Sequence, residues 1–129
     1  MEDDAPTVMN RYAQAMRDGD FATVRALYHD DFTVHYAGAN PLSGPHRGIE
    51  AALIAMGEIR RRTERRMLDV VEVMTGPSRA CIILREQFSR DGETHVMDRV
   101  AVYRVAGGKV AECWVYDEDQ ALMDSLMRD

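Results

Sequence analysis

An α+β domain is the fold class this sequence predicts, and three observations carry it. Three segments with apolar residues at helical spacing occupy the first half of the chain. Four strand-length runs follow, separated by Gly76-Pro77, Asp91-Gly92 and Gly107-Gly108, each a turn signal. A last amphipathic segment closes the chain. The 129 residues suit one domain, 1–129, with one core, and the 46% apolar content supports a packed interior.

The elements follow in order. From Ala5 to Asp18, Val8, Met9, Tyr12, Ala15 and Met16 recur at helical spacing; Asp4 and Pro6 suit the start and Gly19 the end. Asp20 caps a second helix carrying Phe21, Val24, Leu27 and Tyr28. Asp30-Asp31 breaks it, and Phe32–Tyr36 reads as a short strand. A turn-rich loop, 37–47, leads through Gly48 into a third helix, Ile49–Thr63. The strands are expected at 66–75, 79–90, 93–106 and 109–117, and Asp119 caps a closing helix, Gln120–Met127. A single antiparallel meander with helices on one face is a layer design, and a curved sheet covered in this way encloses a cavity.

The net charge of −6 disfavours nucleic acid and anionic membrane as general partners. No apolar run approaches the length of a membrane span, and the acidic start MEDDAPTVMN lacks the features of a signal peptide, so a cytoplasmic location is expected. Cys81 and Cys113 sit in apolar strand-like runs and read as reduced core thiols. The four histidines show no metal-ligand spacing, and no Cys-x-x-Cys occurs. Gly38, Gly44 and Gly48 are turn glycines rather than a phosphate cradle, and Gly-x-Ser-x-Gly is absent. No metal and no cofactor is expected. Five arginines lie between 60 and 66, in EIRRRTERRM. They read as a solvated helix end whose cations suit the negative pole of the helix dipole, with an anion site as the rival.

Three stretches carry a family resemblance: RYAQAMRDGDFATVRALYHDDFTVH, NPLSGPHRGIEA and YRVAGGKVAECWVYDEDQALMDSL. In order and spacing the chain resembles the nuclear transport factor 2-like superfamily, SnoaL-like domains in particular, which also holds ketosteroid isomerase. The resemblance implies a curved antiparallel sheet with helices on its concave face, a cone-like barrel enclosing a pocket. It also implies a homodimer through the outer sheet face, where Trp114 and Tyr116 stand. Function is less constrained, because the fold hosts isomerases, cyclases, hydrolases, dehydratases and binders.

Carried over residue by residue, the isomerase pattern is incomplete. Tyr12 matches the oxyanion-donating tyrosine of the first helix by its seven-residue distance to Gly19. The general-base region falls on His35-Tyr36, with no carboxylate, and the second donor falls on Ala101. The last-strand aspartate of epoxide hydrolases would fall near Val115. SnoaL-like cyclases use a pocket His and Asp, for which His35 and Asp117 are the available substitutes.

Four residues are the candidate catalytic set: His35, Tyr12, Asp117 and Arg99. His35 titrates in the range useful for proton transfer and follows a strand where relatives put their base; the alternative is a strand-end histidine bonded to backbone. Tyr12 is an oxyanion donor or a core aromatic. Asp117 orients a histidine, acts as base, or caps the last helix. Arg99 clamps a carboxylate or enolate, or pairs with Asp98, Glu86 or Asp117. The expected activity is acid–base chemistry of isomerase, cyclase or dehydratase type on a small hydrophobic carbonyl compound. The alternatives are a non-catalytic homodimer binding a small hydrophobic ligand, and a structural role with a filled cavity.

Overall fold

The computed structural model describes residues 4–129; residues 1–3, where the acidic start begins, lie outside the described residues. The order is α1 (Ala5–Asp18), α2 (Phe21–Leu27), β1 (Tyr28–Tyr36), β2 (Gly44–His46), α3 (Ile49–Thr63), β3 (Arg66–Thr75), β4 (Arg79–Arg90), β5 (Glu93–Ala106), β6 (Lys109–Asp117) and α4 (Gln120–Leu126). Local chemistry sets the helix ends. Asp4 accepts from Thr7 N at 2.9 Å and Asp20 from Thr23 N at 3.2 Å. Gly19 takes the left-handed conformation that ends α1, at φ +68°.

One six-stranded curved sheet, in the order β2-β1-β6-β5-β4-β3, forms the second layer. Strands β3 to β6 are the expected antiparallel meander. The sheet as a whole is mixed, because β1 runs parallel to β6, with His35 opposite Trp114. A parallel neighbour needs a crossover of a dozen or more residues, and the chain between β1 and β6 supplies it amply. Two register shifts in β3 mark bulges, which bend the strand and add twist.

The structure differs from expectation at α2 and β1. The helix stops at Leu27, and Tyr28 already belongs to the strand. Asp30 and Asp31 do not break the chain's path; they sit exposed within β1, where the pairing to β6 skips between Tyr28 and Thr33. Strand β2 went unpredicted because three residues carry no readable alternation. Its Pro45 occupies an edge strand, where proline leaves no ladder bond unmade.

Helices α1 and α3 lie across one face of the sheet. Val8, Met9, Tyr12 and Ala13 from α1 and Ala52 from α3 pack on Phe32, Val34, Val70, Ile82, Leu84, Ala101 and Tyr103. A second cluster, Ile59, Phe88, Met97, Met123, Leu126 and Met127, seats α4. No helix among the described residues is long and apolar enough to cross a membrane.

The loop after β1 is clamped to α4 through one carboxylate. Asp124 accepts from Ala39 N (3.1 Å), Asn40 Nδ2 (2.8 Å) and Gln120 Nε2 (3.0 Å). Gly38 approaches this cluster so closely, at φ +91°, that a Cβ there would strike the side chains of Asp124 and Gln120. Gly44, at φ +98°, has open space around it. Gly38→Ala is therefore expected to lower stability by about 2–4 kcal/mol in urea unfolding, from backbone strain plus overlap. Gly44→Ala carries the strain without the overlap and should lower it less; equal losses would contradict the clamp.

Candidate functional site

The concave face of the sheet and the overlying helices enclose a cavity of about 900 Å³. Strand alternation decides what reaches it. On β5 Arg99, Ala101 and Tyr103 line it, and on β6 Cys113 and Val115, all buried. Phe32, Val34 and Tyr36 of β1 reach the same wall. The cavity lining combines a largely apolar wall with a buried ion cluster and exposed charged side chains.

Three tyrosines stand in the apolar part. The hydroxyls of Tyr12 and Tyr28 share a hydrogen bond of 2.7 Å, and the Tyr12 and Tyr103 rings lie 5.2 Å apart. Burial is the main cause that pushes all three phenols well above their ordinary range; each stays protonated and able to donate. Burial likewise pushes the Cys113 thiol up to about 12, so it presents a thiol, not a thiolate.

The polar part is a buried ion cluster. Arg99, 3% exposed, donates through Nε to Asp117 Oδ1 at 2.6 Å, and its Nη1 lies 3.6 Å from Glu86 Oε1. Arg65 Nη1 lies 3.2 Å from Glu86 Oε2. That approach lacks hydrogen-bond geometry, so Glu86 Oε2 and Arg65 Nε are both buried without a hydrogen-bond partner. The Tyr36 and Phe88 rings flank the Arg99 guanidinium at 5.8 and 5.4 Å. Burial raises Asp117 above the usual carboxylate range, while the Arg99 charge acts to lower it. Burial raises the Tyr36 phenol to about 12.

The four sequence candidates separate. Tyr12 and Arg99 line the cavity. Asp117 stands behind Arg99 and does not reach the cavity wall. His35 lies on the opposite, convex face, which corrects its assignment as the pocket base. Its neighbours Val34 and Tyr36 turn inward, so alternation turns His35 outward. There its ring stacks on Trp114, centroids 5.2 Å apart, and Nε2 donates to Glu112 Oε2 at 2.5 Å. Desolvation would raise Glu112, but hydrogen bonds from His35 and Arg104 hold it below the usual carboxylate range.

Glu86, Arg65 and Tyr36 went unrecognised as site residues. Glu86 left a signal. In CIILREQF it shares parity with Ile82, Leu84 and Phe88, so it is a carboxylate on the buried face of an apolar strand. Arg65 left none of its own, lying within the arginine run. That run is divided by the fold. Arg61 and Arg62 pair with Glu58, and Arg62 also reaches Asp129, while Arg60, Arg65 and Arg66 line the cavity. Among the described residues, no three His, Cys, Asp or Glu side chains group as a metal site.

A curved sheet, covering helices and an internal pocket define a small α+β cavity protein. The SnoaL-like domain family matches residues 9–113, and the chain belongs to it. Solved structures agree in fold. A Xanthomonas campestris protein of unknown function with a cystatin-like fold superposes at TM-score 0.85 and 22% identity, covering 100% of both chains. A Mesorhizobium loti protein provisionally described as a SnoaL-like polyketide cyclase superposes at 0.74 and 20% identity, over 86% of this chain and 97% of that one. TerC co-crystallised with polyporic acid superposes at 0.76 and 15% identity, over 94% and 95%. No curated protein matches the chain in sequence.

Replacing Arg99 by Met would leave Asp117 buried without its hydrogen-bonded cation and Glu86 with Arg65 alone. The expected loss is about 3–5 kcal/mol at neutral pH. Its pH dependence has a fixed sign. Arg99 acts to lower the Asp117 pKa, so its removal raises further a folded pKa that burial already holds up, and the variant loses more stability relative to wild type as pH rises through that window. Chemical denaturation of Arg99→Met at pH 5 and pH 8 should therefore show the smaller loss, relative to wild type, at pH 5. A loss independent of pH would refute the pairing.

Proposed function

We propose that the protein takes a small, mostly apolar carbonyl compound into this cavity and moves a proton beside the carbonyl, in an isomerisation, cyclisation or dehydration. The observation that carries the reading is Glu86, 1% exposed on the cavity wall, with Oε2 lacking a hydrogen-bond partner. A buried polar atom left unsatisfied in a cavity marks a place for a group that arrives from outside. In the proposed reaction Glu86 accepts the proton. The guanidinium of Arg65, with Arg99 behind it, stabilises the negative charge that develops on the carbonyl oxygen. The tyrosines, kept protonated by burial, supply neutral donors to the body of the compound. The polyketide cyclase description and the polyporic acid complex of two proteins with similar folds support small-molecule use of such a cavity.

A second reading, binding without turnover, draws on one observation: both carboxylates of the ion cluster already face arginines. In either reading two copies are proposed to pair through the convex face, where Val96 and Tyr116 stand exposed. Sedimentation should give a dimer, and a monomer at high concentration would remove that element.

Exchange of α-protons for deuterium, followed by NMR in heavy water, tests the chemistry without knowledge of the product. With small aryl ketones as probes, wild-type protein should accelerate exchange, and Glu86→Gln should lower the acceleration about 10²–10⁴-fold. His35→Ala, altered on the far face, should keep it. Binding without exchange would favour the second reading, and exchange unaffected by Glu86→Gln would remove Glu86 as the base.

A further inference from the structure

The chain carries an excess of acid, yet its cavity is cationic. Six arginines line it against two acids, Asp18 and Glu86, in a protein of net charge −6. Arg65 and Arg99 belong to the inner ion cluster. The other four, Arg17, Arg25, Arg60 and Arg66, are exposed, and among the described residues none of them has an acidic partner. They come from four elements: the last turn of α1, α2, the last turn of α3 and the first residue of β3. Exposed residues that also line a cavity stand at its opening.

Helix dipoles do not account for this gathering. Arg17, Arg25 and Arg60 lie in last turns, where a cation offsets a fraction of a negative charge. Each guanidinium is a full charge on a long stem, so the opening stays cationic after that offset. Arg66 begins a strand and has no helix end to serve. Arginine also presents a planar fork matched to carboxylate and phosphate oxygens, and 15 of the 16 basic side chains in this sequence are arginine.

From this we infer that the compound bound in the cavity carries an anionic oxygen group, a carboxylate or a phosphate, at the end remote from its apolar body, and that Arg17, Arg25, Arg60 and Arg66 hold that group at the opening. The inference rests on the cavity being a small-molecule site and deepens that proposal by naming the charge class of the ligand. Asp18 stands at the same opening and opposes the anion, leaving the arginines in excess. A field of one sign around a low-dielectric opening also speeds the arrival of an anionic ligand, and salt weakens it.

Calorimetric titration with three probes of one shape tests it: 2-acetylnaphthalene, 2-naphthoate and 2-naphthyl phosphate. At low salt the anions should bind at least about tenfold tighter than the neutral ketone, as one or two charge-assisted hydrogen bonds allow. The more favoured anion identifies the group. The advantage should shrink at 0.5 M salt, roughly a Debye length of 4 Å. It should vanish in Arg25→Ala/Arg60→Ala, two exposed substitutions that leave the core untouched, and return in part in Arg25→Lys/Arg60→Lys. Equal affinity for all three probes, or an anion advantage that survives the double alanine variant, would overturn the anionic group while leaving the cavity proposal standing. No binding by any probe would overturn both.

Discussion

The Arg99 guanidinium ties the sheet together across four strands. It extends from β5 to Asp117 on β6 and toward Glu86 on β4, and the Tyr36 ring of β1 and the Phe88 ring of β4 flank it. The β5–β6 register sets Arg99 directly opposite Asp117, so the closest pair follows from strand pairing alone. Taking such charges out of water costs several kcal/mol per ion, and well-packed apolar residues would often serve stability as well. The sheet therefore depends on a cluster that stability alone does not call for. Once the cluster is present, each member becomes necessary, because removing one strands the charge of another.

The cluster also divides the cavity. Tyrosines and aliphatic side chains make a wall for an apolar body, and the ion cluster makes a polar part that can answer a developing charge. The exposed arginines that line the cavity form a second, solvent-facing tier. The two tiers differ in their freedom. Arg99 is buried and hydrogen-bonded to Asp117, whereas Arg17, Arg25, Arg60 and Arg66 are exposed. In an acidic chain, charge at the opening is set by where the fold sends its arginines and not by the total.

Much of the fold was legible because its signals are local. Helices α1 and α3, the Gly-Pro, Asp-Gly and Gly-Gly turns, and the caps Asp4, Asp20 and Asp119 all appear where the residues indicate. What was not legible depends on partners distant in sequence. The parallel pairing of β1 with β6 keeps Asp30 and Asp31 within a strand, and β2 exists only because β1 is there to receive it. The site divides along the same line. Tyr12 and Arg99 follow from periodicity, one on a helix face and one on a strand face. His35 was assigned by its place at a strand end, although Phe32, Val34 and Tyr36 around it had already claimed the inner face. Applied evenly, the same alternation sends His35 out and brings Glu86 in.

Within the cluster the contact that leaves atoms unpartnered bears most on the proposed reaction. Arg99 and Asp117 meet at 2.6 Å with a hydrogen bond, a pair built to persist. Arg65 approaches Glu86 at 3.2 Å without one, and an atom on each side is left unpartnered. In the proposed reaction, a contact made this incompletely would surrender little as a substrate oxygen turned toward Arg65 and a substrate proton toward Glu86. Stabilisation that appears as charge develops, and is absent before, lowers a barrier; a pair already complete would have to be broken first. The geometry thus separates an arginine hydrogen-bonded across two strands from one whose carboxylate contact is incomplete, and the proposed reaction assigns the second to the ligand.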